Sequence, residues 1–143
     1  MKRFIKIVCI VLVLSTLLAV PVFAESEAST YGSIYFIDYS TYLYRVGTNQ
    51  YEIWFDVTAK GIMDELGVCE IELQRSPDGE NWSKVLAYSP EGHPQMLCEN
   101  TGSHTDCVYY MGSSGWQYRA FVTFYAKNSG GYGKRYVYAY PIN

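Results

Sequence analysis

The chain has 143 residues, a formal net charge of −3 and 17% aromatic side chains, fifteen of them tyrosine. Past the first six residues its cations form no cluster beyond Lys134-Arg135, which is too little to neutralise a run of phosphates, so neither nucleic acid nor an anionic membrane surface is an expected partner. The length suits one domain.

Met1-Lys2-Arg3 opens a basic segment closed by Lys6, and residues 7–20 are apolar apart from Ser15 and Thr16. Pro21 ends any helix, and Val22-Phe23-Ala24 puts branched or small residues at the −3 and −1 positions of a cleavage point. Charged segment, apolar core and small-residue site in that order make a secretory signal. The apolar core is short of the roughly 20 residues a bilayer span needs, so cleavage is favoured over an uncleaved anchor. Residues 1–24 are read as signal peptide, 25–33 as a flexible lead-in and 34–143 as one domain. Loss of Lys2, Arg3 and Lys6 takes the net charge from −3 to −6. The expected location is secreted or extracytoplasmic, with membrane contact only through the signal before cleavage.

Beyond the lead-in the hydrophobic period is two almost everywhere, which is the strand signal. Residues 34–39 and 41–46 are two short strands, the second ending at the turn Gly47-Thr48-Asn49. Residues 51–59 alternate cleanly, with Tyr51, Ile53, Phe55, Val57 and Ala59 on one face and Glu52, Trp54, Asp56 and Thr58 on the other. Residues 60–67 are a loop with a single helical turn around Met63-Asp64-Glu65, and 68–75 form another strand with Cys69, Ile71 and Leu73 inward. Pro77-Asp78-Gly79-Glu80-Asn81 is a hairpin connection, because proline presets φ and Asp-Gly supplies the turn. Strand 82–88 follows, then an irregular stretch over 89–104, a strand at 105–111 and a turn at 112–115. The longest strand is 116–127, with Trp116, Tyr118, Ala120, Val122, Phe124 and Ala126 on one face. A Gly-rich turn and a last strand over 135–140 close the chain.

This spacing of short strands and turns predicts an all-β fold, an antiparallel β-sandwich of seven or eight strands, with a small β-barrel as the alternative. Two segments carry a resemblance. Residues 71–82, Ile-Glu-Leu-Gln-Arg-Ser-Pro-Asp-Gly-Glu-Asn-Trp, and residues 118–133, from Tyr118 to Gly133, resemble the C strand and the F strand with its FG loop of fibronectin type III and immunoglobulin-like domains. The resemblance implies that Tyr118 is the corner tyrosine whose hydroxyl pins the neighbouring turn. The tryptophan that such domains bury falls here at Trp54, which alternation turns outward. The layout is also similar to short secreted proteins of Gram-positive bacteria that have no assigned function.

Motifs for chemistry are sparse. Gly112-Ser113-Ser114-Gly115 is a turn between strands and not a nucleophile elbow. His93, Cys98, His104 and Cys107 have metal-ligand side chains but the spacing of no compact zinc motif. No catalytic residue, metal or cofactor is expected. Cys69, Cys98 and Cys107 remain after signal removal, and export favours disulfides. Cys98–Cys107 across a polar turn is the expected bridge; a bridge using Cys69, or none, are the alternatives.

The aromatic excess carries the functional expectation. Alternation puts Trp54 outward on one sheet. On the opposite sheet it puts Phe121 and Tyr125 outward, beside either the Tyr136, Tyr138, Tyr140 row or its complement. Such a face could stack on sugar rings or anchor a protein. The competing reading is architectural, since tyrosine favours strands and cross-strand aromatic pairs stabilise sheets by about 0.2–1 kcal/mol each. The sequence therefore points to a non-enzymatic binding module for cell-surface polysaccharide or protein, with Trp54, Phe121, Tyr125, Tyr136 and Tyr138 as the candidate face. A structural, self-assembling exported protein is the alternative, followed by a small hydrolase or metal-binding protein.

Overall fold

The computed structural model describes residues 34–142. The segments read as signal peptide and lead-in, residues 1–33, and Asn143 lie outside the described residues. The fold is all-β, with seven strands joined in one hydrogen-bonded sheet. These are β1 (Phe36–Gly47), β2 (Gln50–Ser76), β3 (Ser83–Tyr88), β4 (Leu97–Met111), β5 (Gln117–Asn128), β6 (Gly131–Ala139) and β7 (Pro141–Ile142), with one 3-10 turn at Pro94–Met96.

The organising element is β2. At about 3.3 Å per residue, its 27 residues would reach about 90 Å if straight, far more than the span of a domain of this size. The strand must bend, and it exchanges partners as it does so. On one edge β1 pairs with residues 50–59 and β5 with residues 65–76. On the other edge β4 follows residues 50–67, with a register shift between Thr58 and Met63, and β3 takes residues 71–75. A second shift falls between Val68 and Glu70. Bulges of this kind bend a strand and increase its local twist.

Folded this way, the two halves of β2 bring their apolar faces together. Ile53, Phe55 and Val57 from the first half, with Leu43 of β1, join Leu66, Val68, Ile71 and Leu73 from the second, with Val122 and Phe124 of β5, in a single buried cluster. The rings of Tyr39 on β1 and Phe124 on β5 sit 5.4 Å apart across the interior. The architecture is thus a sandwich whose layers share one strand. The alternation read for residues 51–59 and 118–126 holds on the inward side, where every residue named is buried; on the outward side of β5, Thr123 is buried as well. β6 runs antiparallel on β5, and β7 runs parallel to β1 at Leu43 and Tyr44. Only Tyr140 separates β6 from β7, so the chain steps from one layer to the other there.

Three expectations need correction. The segments 34–39 and 41–46 are one strand, because β1 pairs continuously with β2 apart from shifts near its ends. Residues 60–67 are neither loop nor helical turn. The Lys60 amide donates to the Tyr35 carbonyl at 2.8 Å, and residues 63–67 pair with residues 97–101, which keeps the backbone extended. Gly67 makes this path passable: its φ is +149°, and a Cβ there would run into the Met96 carbonyl oxygen. Lastly, the irregular stretch ends at residue 96 and not 104, since 97–104 pair with β2.

Candidate functional site: an aromatic cleft and the face beside it

The cleft is built from a turn upward. After Ser76, buried at the end of β2, the chain reverses through Asp78. The Ser76 hydroxyl donates to Asp78 Oδ1 at 2.7 Å and accepts the Gly79 amide at 2.8 Å. Asp78 also accepts the amides of Glu80 (2.9 Å) and Asn81 (2.8 Å) and the Asn81 side chain (2.6 Å). These donors, the Asn81 amide first, hold the Asp78 carboxyl well below the usual carboxylate range. Gly79 takes φ +81°, where a Cβ would meet the Gln117 side chain at 2.8 Å. The turn delivers Trp82, whose indole N–H donates to the Gly79 carbonyl at 3.1 Å.

Trp82 forms one wall of an open cleft of about 370 Å³. Trp116 and Gln117 enter from the start of β5, Arg45 from β1, and Tyr140 and Pro141 from the step between β6 and β7. Tyr51 and Tyr118, 4.9 Å apart, reach it from the core. Tyr118 is 1% exposed, and its hydroxyl accepts the Ser113 amide at 2.8 Å. That bond ties the β4–β5 turn to β5, while the Gly112 amide ties the same turn to Asn49 at 2.7 Å. The volume falls within the range of small-ligand sites, and the lining has no carboxylate, histidine or cysteine.

From Trp82 the aromatic surface continues over the outer face of β5 and β6. Trp82 meets Tyr140 edge-on at 6.3 Å, and Tyr140 lies 6.5 Å from Tyr138. Tyr138 packs at 4.6 Å on Phe121, which stacks on Tyr136 at 5.8 Å and 6°. The row left open in sequence is therefore Tyr136, Tyr138 and Tyr140, with the complementary Val137 and Ala139 turned inward. Arg119 sits inside this row. Its guanidinium carbon lies 4.4 Å from the Trp82 ring centre and 4.5 Å from that of Tyr138. Its Nε donates to Gln74 at 2.7 Å and its Nη1 to the Tyr140 hydroxyl at 3.5 Å. Gln74 in turn donates to Glu72, which pairs with Lys84 at 3.1 Å; these two contacts, Gln74 first, hold the Glu72 carboxyl below its ordinary value.

Of the expected face, then, Phe121, Tyr136 and Tyr138 come together. Tyr125 stands farther along the same face, 6.0 Å from Tyr132. Trp54 does not join them. It is outward, as alternation required, but on the other half, between Tyr42 of β1 and Cys107 of β4. Tyr42 and Tyr44 stack there at 5.9 Å, and Tyr109 and Met111 extend an exposed row. The same surface carries Glu52 and Asp56. The Cys107 thiol donates to Glu52 at 3.3 Å, and Glu52 sits below its ordinary carboxyl value, held first by a hydrogen bond from Tyr109.

The expected Cys98–Cys107 bridge is overturned. Both cysteines lie on β4, opposite Leu66 and Trp54. Nine residues of strand separate them by about 30 Å, far beyond the 7 Å Cα limit for a disulfide. All three described cysteines are free. Cys69 is half-buried rather than part of the core. The shift between Val68 and Glu70 leaves it without a ladder partner, and burial pushes its thiol up. The two histidines are elsewhere occupied: His104 Nε2 bonds the Gln95 carbonyl at 2.7 Å, and His93 packs on Tyr88 at 4.8 Å. Among the described residues no three metal-ligating side chains gather.

Sequence reasoning missed Trp82, Trp116, Tyr140 and Arg119 as site residues. Trp116 is half-buried and packs against the edge of the core, as its place on the inward face implies, and it also lines the cleft. No family model matches the chain, and neither curated proteins nor solved structures include a match.

Proposed function

We propose that the protein is an exported, non-enzymatic binding module that grips a polysaccharide of the cell surface, on a scaffold akin to fibronectin type III domains. One observation carries the reading: an open cleft of about 370 Å³ walled by Trp82, Trp116 and Tyr140 runs on to the exposed rings of Tyr138 and Tyr136 and the half-buried Phe121 between them. Flat apolar rings beside hydrogen-bonding edges suit the faces of pyranoses, and a row of them suits a polymer. The cleft supplies stacking surfaces and cationic donors instead of the acid–base pair that hydrolysis needs. The secretory pattern at the N-terminus supports an extracytoplasmic address.

The test is a pull-down of the purified protein with cell walls and insoluble polysaccharides, with tryptophan emission as the readout for soluble chains. Saturable binding that shifts the emission is expected. Trp82→Ala should weaken it at least ~10-fold, in line with the loss of one well-buried aromatic contact. Trp54→Ala should leave it unchanged. Full binding by Trp82→Ala and Trp116→Ala would remove the cleft from the reading.

A second reading rests on the other half of the sheet. The exposed row of Tyr42, Tyr44, Trp54, Tyr109 and Met111 supports self-association through that face. Sedimentation separates the two: a clean monomer at micromolar concentration argues against assembly.

A further inference from the structure

One arginine lines the cleft and two more stand beside it, packed on its tryptophans, and among the described residues no carboxylate pairs with any of the three. The chain is acidic overall, yet Arg45 lines the cleft, Arg75 lies 4.2 Å over the Trp116 ring and Arg119 lies 4.4 Å over Trp82. Among the described residues both ion pairs belong to lysines, Lys84 with Glu72 and Lys127 with Glu65, and none of these arginines meets a carboxylate. Glu72, linked to Arg119 through Gln74, is already committed to Lys84. The three arginines are held against or beside aromatic walls instead.

The manner of holding matters. A guanidinium held against aromatic rings keeps its donors in its own plane, along its edge, in a rigid fork. On Arg119, Gln74 takes Nε and the Tyr140 hydroxyl shares Nη1 at a long 3.5 Å. The outer edge is thereby oriented and still able to donate. Such an edge matches a carboxylate, which it binds with two parallel hydrogen bonds. The anion must also lie beside a ring that stacks on Trp82, Trp116 or Tyr140.

We infer that the cleft is specific for acidic polysaccharides of the uronate class, in which a pyranose ring and a carboxylate belong to one residue. The rings of the polymer lie on the tryptophans and Tyr140, and its carboxylates meet Arg119 and Arg45. This rests on the polysaccharide reading above and specifies its ligand. A polyol phosphate has the charge without the ring, and a neutral glucan has the ring without the charge.

The experiment compares polygalacturonate with its fully methyl-esterified form, the same ring with its charge removed, and with polyglycerol phosphate. The expected result is at least ~10-fold tighter binding of polygalacturonate at low salt, with the gap narrowing as salt rises. Arg45→Gln and Arg119→Gln should each erase most of that gap, read as the ratio of acid to ester affinity within each variant. Arg119→Lys should fail to restore it, because an ammonium lacks the fork. Should Arg119→Gln not fold, Arg45→Gln carries the test, since Arg45 is exposed on the cleft rim. Equal binding of acid and ester overturns the inference and leaves the polysaccharide reading standing. Binding of neither overturns both. Polyglycerol phosphate competing as well as polygalacturonate overturns the uronate assignment.

Discussion

The two outward faces of this sandwich are both rich in tyrosine and tryptophan, and they differ in what surrounds the rings. On the β5–β6 face and its cleft, Trp82 and Tyr138 enclose Arg119, and Arg75 covers Trp116. On the β1–β2–β4 face, Trp54 is flanked along its own strand by Glu52 and Asp56, and the nearest thiol donates to a carboxylate. One face offers rings with cations, the other rings with anions. Aromatic composition alone would rank them equally. Electrostatics and the presence of a concave wall separate them, because an anion-bearing ring is drawn to the first and repelled by the second.

That contrast can be broken at its root by disturbing β2, the strand that builds both faces. Gly67→Ala places a Cβ against the Met96 carbonyl oxygen at a φ of +149°. Backbone cannot yield as a flexible side chain would, so a loss of about 3 kcal/mol or more is expected, read as a lower denaturation midpoint with both faces affected. A smaller effect isolates the cleft's floor. Tyr118→Phe removes the acceptor of the Ser113 amide and should cost about 1 kcal/mol. It should also loosen the 112–115 turn, visible as faster amide exchange there and not at Trp54. Smaller again, Tyr42→Ser breaks the stack with Tyr44 and should cost about 0.2–1 kcal/mol in thermal unfolding, with no change in ligand affinity.

The last lever is pH, acting on the turn that presents Trp82. The Asp78 carboxyl is depressed in the folded protein relative to its ordinary 3.8. A depressed acid contributes stability that is present above the unfolded value and lost as pH falls below it. Acidification below about pH 4 should therefore weaken the 76–82 turn, and Asp78→Asn should flatten that dependence. Trp82 emission followed against pH checks it; an identical profile in Asp78→Asn would assign the change to other carboxylates.

Much of the framework was legible in the sequence. The alternation of residues 51–59 and 118–126 identified the inward side correctly, because a strand's side chains switch faces at every residue and burial enforces the pattern. Trp54 was placed outward for the same reason, and the 77–81 turn followed from Pro-Asp-Gly chemistry. What failed were the places where neighbours override local signals. Residues 60–67 carry glycines and charges that read as a loop, yet pairing with β4 from residue 63 and with β5 from residue 65 keeps the segment extended. The polar run 99–104 read as a turn between cysteines, yet β2 supplies it a partner. The cleft escaped notice because its walls come from the ends of strands far apart in the chain.

Residues within a few positions of one another set the period-two strands, the turn residues and the buried side of residues 51–59 and 118–126. Only the tertiary structure decided that one long strand serves both layers, that Cys98 and Cys107 lie far apart on a single strand, and that Trp82, Trp116, Tyr140 and the arginines converge at one end. These depend on which distant segments share hydrogen bonds and on where a bent strand turns, and such pairings are set by the burial of the whole chain at once.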